Sequence, residues 1–100
     1  MRAVTLGDIR AAARVLAQHP QAARAALMAA MLQEADFADR YRKAYGRCHP
    51  RLGNGSLMSA ALARAKDIPA PRLSERDGLE ALALVIHAVL AWRIDRAPMR

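Results

Sequence analysis

The sequence contains little cysteine and few aromatic residues, and these shortages exclude several classes of protein. Cys48 is the only cysteine among 100 residues, so the chain cannot form an internal disulfide or, by itself, a cysteine-rich zinc site. A single thiol is typical of a protein of the reducing cytoplasm, where we expect this one. Aromatic residues make up 4% of the chain and 24 residues are alanine, so the hydrophobic core must be thin.

Long hydrophobic runs are also missing. The longest, residues 81–92, has 12 residues and includes His87, whereas a helix that crosses a bilayer needs about 20. We therefore expect no membrane association. The N-terminal residues do not indicate a targeting segment, because their apolar positions fit a folded helix and Arg24 interrupts any signal-like apolar core.

Acidic residues are scarce in one part of the chain only. The formal net charge is +7, and residues 40–66 contain seven basic residues and no acidic one. Nine basic and nine acidic residues share the rest of the sequence. The whole excess charge therefore lies in 40–66, which makes this segment the first place to expect contact with an anion. Its basic residues are Arg40, Arg42, Lys43, Arg47, Arg51, Arg64 and Lys66.

Helix start and stop signals are frequent in the first half of the chain. Thr5, followed by Asp8 three residues later, predicts an N-cap with an acidic first turn for a helix that ends near His19. Pro20 suits the first position of a second helix, which runs without a breaker to Gly46. Gly46 is well placed to end it in the left-handed conformation.

The second half of the chain repeats these signals. Ser56 predicts an N-cap for a third helix over about 57–66. Prolines make 67–73 an extended segment. Ser74 then predicts the cap of a last helix, which runs to about Ile94.

Together these elements predict an all-α fold, a single small domain of about four helices packed as an irregular bundle. No strand pattern or repeat is present in the sequence. We expect the domain to occupy residues 1–94 and residues 95–100 to form a frayed tail.

The long second helix changes character midway. Residues 22–32 are apolar almost all round, which predicts a core segment. Beyond them, Asp36 with Arg40 and Asp39 with Lys43 form acid-first i,i+4 pairs that support the helix. Its buried stripe is predicted to contain Leu27, Met31, Ala38, Tyr41 and Tyr45, with Glu34 inside it and paired to an arginine.

The last helix is apolar around most of its circumference. Such a helix must be either central in the bundle or half-covered by a partner chain. Leu84, His87 and Trp92 are the candidate interaction residues. His87, with Glu80 two turns earlier, suggests a slightly polar seam at that surface.

The loop GRCHPRLGNGSLM, residues 46–58, allows two interpretations. In one, the backbone N–H groups of a turn and of a helix N-terminus, together with two arginines, bind an anion. The candidate residues are Arg47, Arg51, Gly53, Asn54, Gly55 and Ser56. In the other, Gly-Asn-Gly-Ser turns the chain and caps the third helix. The spacing matches neither a Walker loop nor a dinucleotide fingerprint.

Catalytic chemistry is not indicated. Cys48 and His49 are adjacent, so in an extended loop their side chains point apart and form neither a dyad nor a chelate. No Ser/His/Asp arrangement or metal-ligand spacing is identifiable. We expect a non-enzymatic protein with no catalytic residue, metal or cofactor.

Two binding functions therefore remain. The first is a protein-interaction or adaptor module, possibly self-associating through its last helix. The alternative is a nucleic-acid-associated protein that contacts phosphates through segment 40–66. The loop between the second and third helices is about ten residues long, which does not fit a helix-turn-helix motif.

The stretch EADFADRYRKAYGRCHPRLGNGSLMSAAL, residues 34–62, and the LAWR that ends at Arg93 resemble a family of short uncharacterised alphaproteobacterial proteins, a domain of unknown function. The resemblance extends over most of the chain and implies a bacterial cytoplasmic protein. The family has no known activity, cofactor or binding residue. The resemblance suggests that one group of residues acts as a unit: Tyr41, Gly46, His49, Pro50, Gly53, Gly55 and Ser56.

Overall fold

A computed structural model of the chain describes residues 1–65, 69 and 72–95, except for the side chain of Asp95. It contains four helices: α1 Leu6–Ala17, α2 Gln21–Tyr45, α3 Leu57–Arg64 and α4 Arg76–Asp95. No strand occurs among these residues, and the helices form one all-α bundle, as the sequence predicts.

Three of the predicted helix ends are confirmed by their hydrogen bonds. The side chain of Thr5 accepts from the N–H of Asp8, and the Asp8 carboxylate accepts in return from the N–H of Thr5. Gly46 ends α2 in the left-handed conformation, with φ of 69°. The Ser56 hydroxyl oxygen accepts from the N–H of Ser59 at the start of α3. These caps satisfy backbone groups that helix ends leave free.

Other boundaries differ from the prediction. Pro20 is the N-cap of α2, not its first helical residue, because its ψ of 148° is extended. The last helix begins at Arg76, so Ser74 lies one residue before the cap position. Most of the predicted extended segment, 67–73, and all of the predicted tail beyond Asp95 lie outside the described residues.

The core lies around α1, which packs against all three other helices, whereas no Cα atom of α3 lies within 8 Å of α4. The largest fully buried apolar side chains are Leu16, Met28, Met31, Leu57, Val15 and Val85. Alanines fill much of the remaining interface, and their small side chains let the helices approach closely at the cost of buried area.

The first half of α2 is only partly core, contrary to the prediction. Met28, Met31 and Leu32 are buried, but all five alanines from 22 to 29 are exposed. Arg24 is buried instead. Its Nε donates to the carbonyl of His19 at 3.0 Å, and its Nη2 donates to a carboxylate oxygen of Asp77 at 3.0 Å. This pair joins the start of α2 to the start of α4, and the hydrogen bond from Arg24 lowers the pKa of Asp77.

Candidate functional site

The Gly-Asn-Gly-Ser turn uses its polar groups within the fold. The Asn54 side-chain oxygen accepts from the N–H of Ser56 at 3.0 Å and from the hydroxyl of Ser59 at 2.8 Å. The N–H of Gly53 donates to the carbonyl of His49, and the N–H of His49 donates to the carbonyl of Gly53. This network supports the interpretation of the loop as a turn that caps α3.

An anion from the chain itself already occupies the N-terminus of α3. One oxygen of the buried Asp8 carboxylate accepts from the N–H of Met58 at 2.8 Å, and the other accepts from the N–H and hydroxyl of Thr5. A carboxylate at a helix N-terminus is favoured by the free N–H groups and by the helix dipole. The N–H groups of Gly53, Ser56 and Met58 are therefore committed to internal contacts. Among the candidate side chains, those of Arg47 and Arg51 remain available for an outside anion.

The local structure requires glycine at both Gly53 and Gly55 of the turn. Gly55 has φ of 92°, and a Cβ there would lie 2.6 Å from the Cα of Asp39. Gly53 has φ of 84°, and its Cβ would lie 2.6 Å from the Cβ of Ser59. Side chains rarely adopt such φ values, and the loop could not pack this closely against α2 and α3 with any other residue.

Asp39, against which Gly55 packs, is surrounded by three positively charged groups. Its carboxylate accepts from Lys43 at 3.0 Å and Arg42 at 3.2 Å and lies 3.3 Å from the amino group of Met1. Burial alone would raise the pKa of Asp39, but the hydrogen bonds from Lys43, Arg42 and Met1 outweigh it and lower the pKa from 3.8 to about 2. This carboxylate is therefore ionised in the folded protein, and its predicted pair with Lys43 is confirmed.

Acidic residues that lie just before the basic segment neutralise much of it. Asp36 pairs with Arg40, and both carboxylate oxygens of Glu34 accept from Arg64, at 2.7 and 2.8 Å, as the sequence predicts for Glu34. Among the basic side chains that the structure describes in 40–65, Arg47 and Arg51 alone have no carboxylate within 4 Å. The unpaired charge is therefore confined to the loop.

Three of the four aromatic residues lie beside this loop and form one cluster with His49. The His49 ring contacts Tyr41 edge-on, with centroids 4.8 Å apart, and Phe37 at 5.7 Å. Tyr41 also contacts Tyr45 at 4.6 Å. We call Phe37, Tyr41, Tyr45 and His49 the ring surface, because Phe37 is 56% exposed and Tyr45 65% exposed.

The ring surface corrects the prediction that Tyr45 is buried. The i,i+4 spacing of Phe37, Tyr41 and Tyr45 places them on one side of α2 and could have revealed the cluster. The position of His49 could not be read from the sequence. Its Nδ1 accepts from the N–H groups of Arg51 and Leu52 at 3.0 and 3.1 Å, which holds the ring against the tyrosine.

The second candidate surface lies on α4. Leu84, His87 and Trp92 all line one groove of about 580 Å³ between α2 and α4, opposite Met28 and Leu32 of α2. Leu84 and Trp92 are half-buried and His87 is exposed. The structure therefore brings the three candidate interaction residues together at one site.

Beside the groove, α4 exposes a row of large apolar side chains. Leu79, Ile86, Leu90 and Ile94 are 40% to 72% exposed, and the exposed Ala83 lies between them in sequence. We call these five residues the α4 stripe. Of the two predicted settings for this helix, a central position is wrong, because one face alone packs on the core. The other face is open within the described chain.

The next features to consider are the cysteine and any metal-ligand groups among the described residues. Cys48 is exposed and unpaired, and no group of three or more His, Cys, Asp or Glu side chains there could hold a metal ion. None of the helices is long and apolar enough to span a membrane.

The fold and its surfaces define a small all-α domain with a thin, alanine-rich core. The chain belongs to a family described as a domain of unknown function, DUF7742, whose model matches residues 2–89. This confirms the resemblance to an uncharacterised domain family. No curated protein and no solved structure matches the chain.

Proposed function

We propose that this protein is a protein-interaction module that self-associates through α4, and that a second copy of the chain covers the α4 stripe. The observation that supports this proposal is the exposure of Leu79, Ile86, Leu90 and Ile94 along one helix whose opposite face is core. A continuous apolar row of this kind is typical of a helix that packs against a partner.

The spacing of the α4 stripe suits an identical partner. Its positions 79, 83, 86, 90 and 94 follow a repeat of three and four residues, the spacing that two packed helices share. If two copies cross antiparallel about a twofold axis near Ile86, Leu79 faces Ile94 and Ala83 faces Leu90. The large side chains Leu79 and Ile94 then contact each other at both ends of the interface. The small Ala83 leaves room for Leu90, so the surface is self-complementary.

Electrostatics also favour a second copy at this surface. Helix α4 carries Arg76 and Arg93 against Asp77, Glu80 and Asp95, so two α4 surfaces can approach without strong repulsion. The unpaired Arg47 and Arg51 lie beyond the other end of α2, since α4 packs along residues 21–33 of that helix. Two molecules with net charge +7 therefore keep their excess charges apart.

The groove with Leu84, His87 and Trp92 adjoins this contact. At 100° per residue, His87 lies between the α4 stripe and the groove. An antiparallel partner therefore places its own α4 along the edge of the groove, and His87 comes close to the twofold axis. His87 becomes the border of the interface and the α4 stripe its centre, whereas Leu84 and Trp92 line the groove beyond that border.

The proposal also includes the class of protein, its location in the cell and the distribution of the family. We propose a binding protein and not an enzyme, since every carboxylate side chain that the structure describes accepts a hydrogen bond within the fold. A cytoplasmic location agrees with the exposed free thiol of Cys48. An alphaproteobacterial distribution of the family is part of the proposal as well.

Sedimentation equilibrium tests the self-association. One helix face forms a small interface, so we expect a reversible dimer with a mass approaching twice 10.9 kDa as the concentration rises. Leu90→Glu places a charge in the apolar contact, and we expect the dissociation constant to rise at least about tenfold.

Leu62→Glu is the matched control, because Leu62 is an equally exposed leucine on α3, 46% against 53% for Leu90. We expect this variant to associate as the unmodified protein does. Circular dichroism should show that both variants keep their helices. A monomer throughout the micromolar range, or a loss of association in Leu62→Glu as large as in Leu90→Glu, would remove the proposal.

A further inference from the structure

The ring surface is a second exposed feature that self-association through α4 does not use. It contains three of the four aromatic residues of the chain, although the chain has few to spare for its own core. Phe37 and Tyr45 leave more than half of their area in water. A protein with a thin core loses stabilising burial by placing its largest apolar side chains outside, which suggests that a ligand covers them.

The charges around the ring surface indicate the kind of ligand. Arg47 follows Tyr45 by two residues, and the backbone of Arg51 is bonded to the ring of His49. Both arginines are exposed and have no carboxylate within 4 Å in the described structure. The neighbouring cations Arg40, Arg42 and Lys43 are paired with Asp36 and Asp39. Two arginines whose side chains have no carboxylate partner therefore adjoin the ring surface through their backbone.

We propose that the ring surface binds single-stranded nucleic acid. Bases stack on the exposed faces of Phe37 and Tyr45, and Arg47 and Arg51 contact the phosphates between them. Flat rings beside free cations match a strand in which bases alternate with phosphates, and this combination is how proteins hold single strands without reading sequence. Stacking and charge pairing share one short stretch, from Phe37 to Arg51.

The geometry favours a single strand over a duplex. In a duplex the bases are stacked on one another, and exposed protein rings cannot reach their faces. A duplex-reading protein commonly places a helix in the major groove. Here the helix after the loop, α3, has eight residues, and its N-terminus is packed against Asp8. It is therefore poorly placed to enter a groove with its first turn.

Fluorescence anisotropy with labelled oligothymidine and oligouridine of about 12 nucleotides tests the proposal, a length within the site sizes of small single-strand-binding folds. Because each stacked base contributes measurably, we expect Tyr45→Ala and Phe37→Ala each to weaken binding at least about fivefold. Tyr45→Phe keeps the ring and should bind as the unmodified protein does. Both alanine substitutions are at exposed positions, so the fold should persist.

A salt titration measures the phosphate contacts separately from base stacking. Removing two single-strand phosphate contacts should reduce the slope of log affinity against log salt by about 1.4. We expect this for Arg47→Ala combined with Arg51→Ala. The control, Arg10→Ala combined with Arg93→Ala, removes the same charge from exposed positions elsewhere and should leave the slope nearly unchanged.

Results of three kinds would overturn the proposal. The first is no binding at low salt, which would leave the rings for a protein ligand. The second is equal binding by Tyr45→Ala and Tyr45→Phe, or equal loss in the two double-arginine variants, which would indicate only non-specific polyanion attraction. The third is tighter binding of a duplex of the same length than of the single strand.

Discussion

At the scale of single residues, three charged side chains inside the fold determine how its parts meet. Asp8, Arg24 and Asp39 are all nearly fully buried. The sequence predicts the local role of Asp8 as a first-turn acid and that of Asp39 as a partner of Lys43. Their burial depends on the distant residues Met58 and Gly55. Local sequence patterns carry no information on such distant contacts, so the burial of these residues could not be predicted from the sequence.

Asp39 should make stability depend on pH. Its pKa falls from 3.8 to about 2 on folding, so its contribution is complete above about pH 5 and disappears as pH falls through the window between these values. We expect Asp39→Asn to be less stable than the unmodified protein near neutral pH. The difference should shrink as pH falls from about 5 to 2.

Urea unfolding at a series of pH values measures this difference. Glu75→Gln is the control, since it removes one negative charge from an exposed pair with Arg72. A difference between Asp39→Asn and the unmodified protein that stays constant down to about pH 2 would contradict the assignment of a lowered pKa.

At the scale of elements, the helices were predicted best where their signals are local. The capping box at Thr5, the left-handed Gly46 and the Ser56 cap each involve residues within four positions. The start of α4 and the exposed face of α2 were predicted less well. Those features depend on what packs nearby, which a local pattern does not contain.

One carboxylate stabilises two helix starts, so its removal should be costly. Asp8→Ala removes the carboxylate half of the capping box of α1, for which we take the value of a helix cap, about 0.5–2 kcal/mol, and leaves the N–H of Met58 without its partner at a cost of about 1–3 kcal/mol. We expect the free energy of unfolding to fall by the sum of the two, about 1.5–5 kcal/mol. Denaturation in urea measures it.

Asp8→Asn sharpens this test. Its amide oxygen can still accept from Met58, but its NH₂ group cannot accept from Thr5, so we expect a loss between those of the unmodified protein and Asp8→Ala. A loss below about 1 kcal/mol for Asp8→Ala would show that the link between α1 and α3 contributes little.

At the scale of the whole molecule, the arrangement separates two surfaces. Helix α4 packs along the first half of α2, and the ring surface follows at the second half and the loop. The sequence predicts the apolar last helix and the charged segment as separate features. Their positions in space depend on how α1 packs between α3 and α4, which no local pattern specifies. The two proposed functions, self-association and single-strand binding, therefore use separate surfaces and are compatible with each other.

The central claim is that two copies meet antiparallel through α4, and disulfide cross-linking tests it most directly. Ile86→Cys in a Cys48→Ser background places one thiol per chain near the proposed twofold axis, within reach of its copy. Leu79→Cys in the same background places the thiols about 22 Å apart, and it should cross-link only when mixed with Ile94→Cys. We predict rapid dimer formation by Ile86→Cys and by that mixture, and little by Leu79→Cys alone. Cross-linking of Leu79→Cys to itself, or none by Ile86→Cys, would contradict the account.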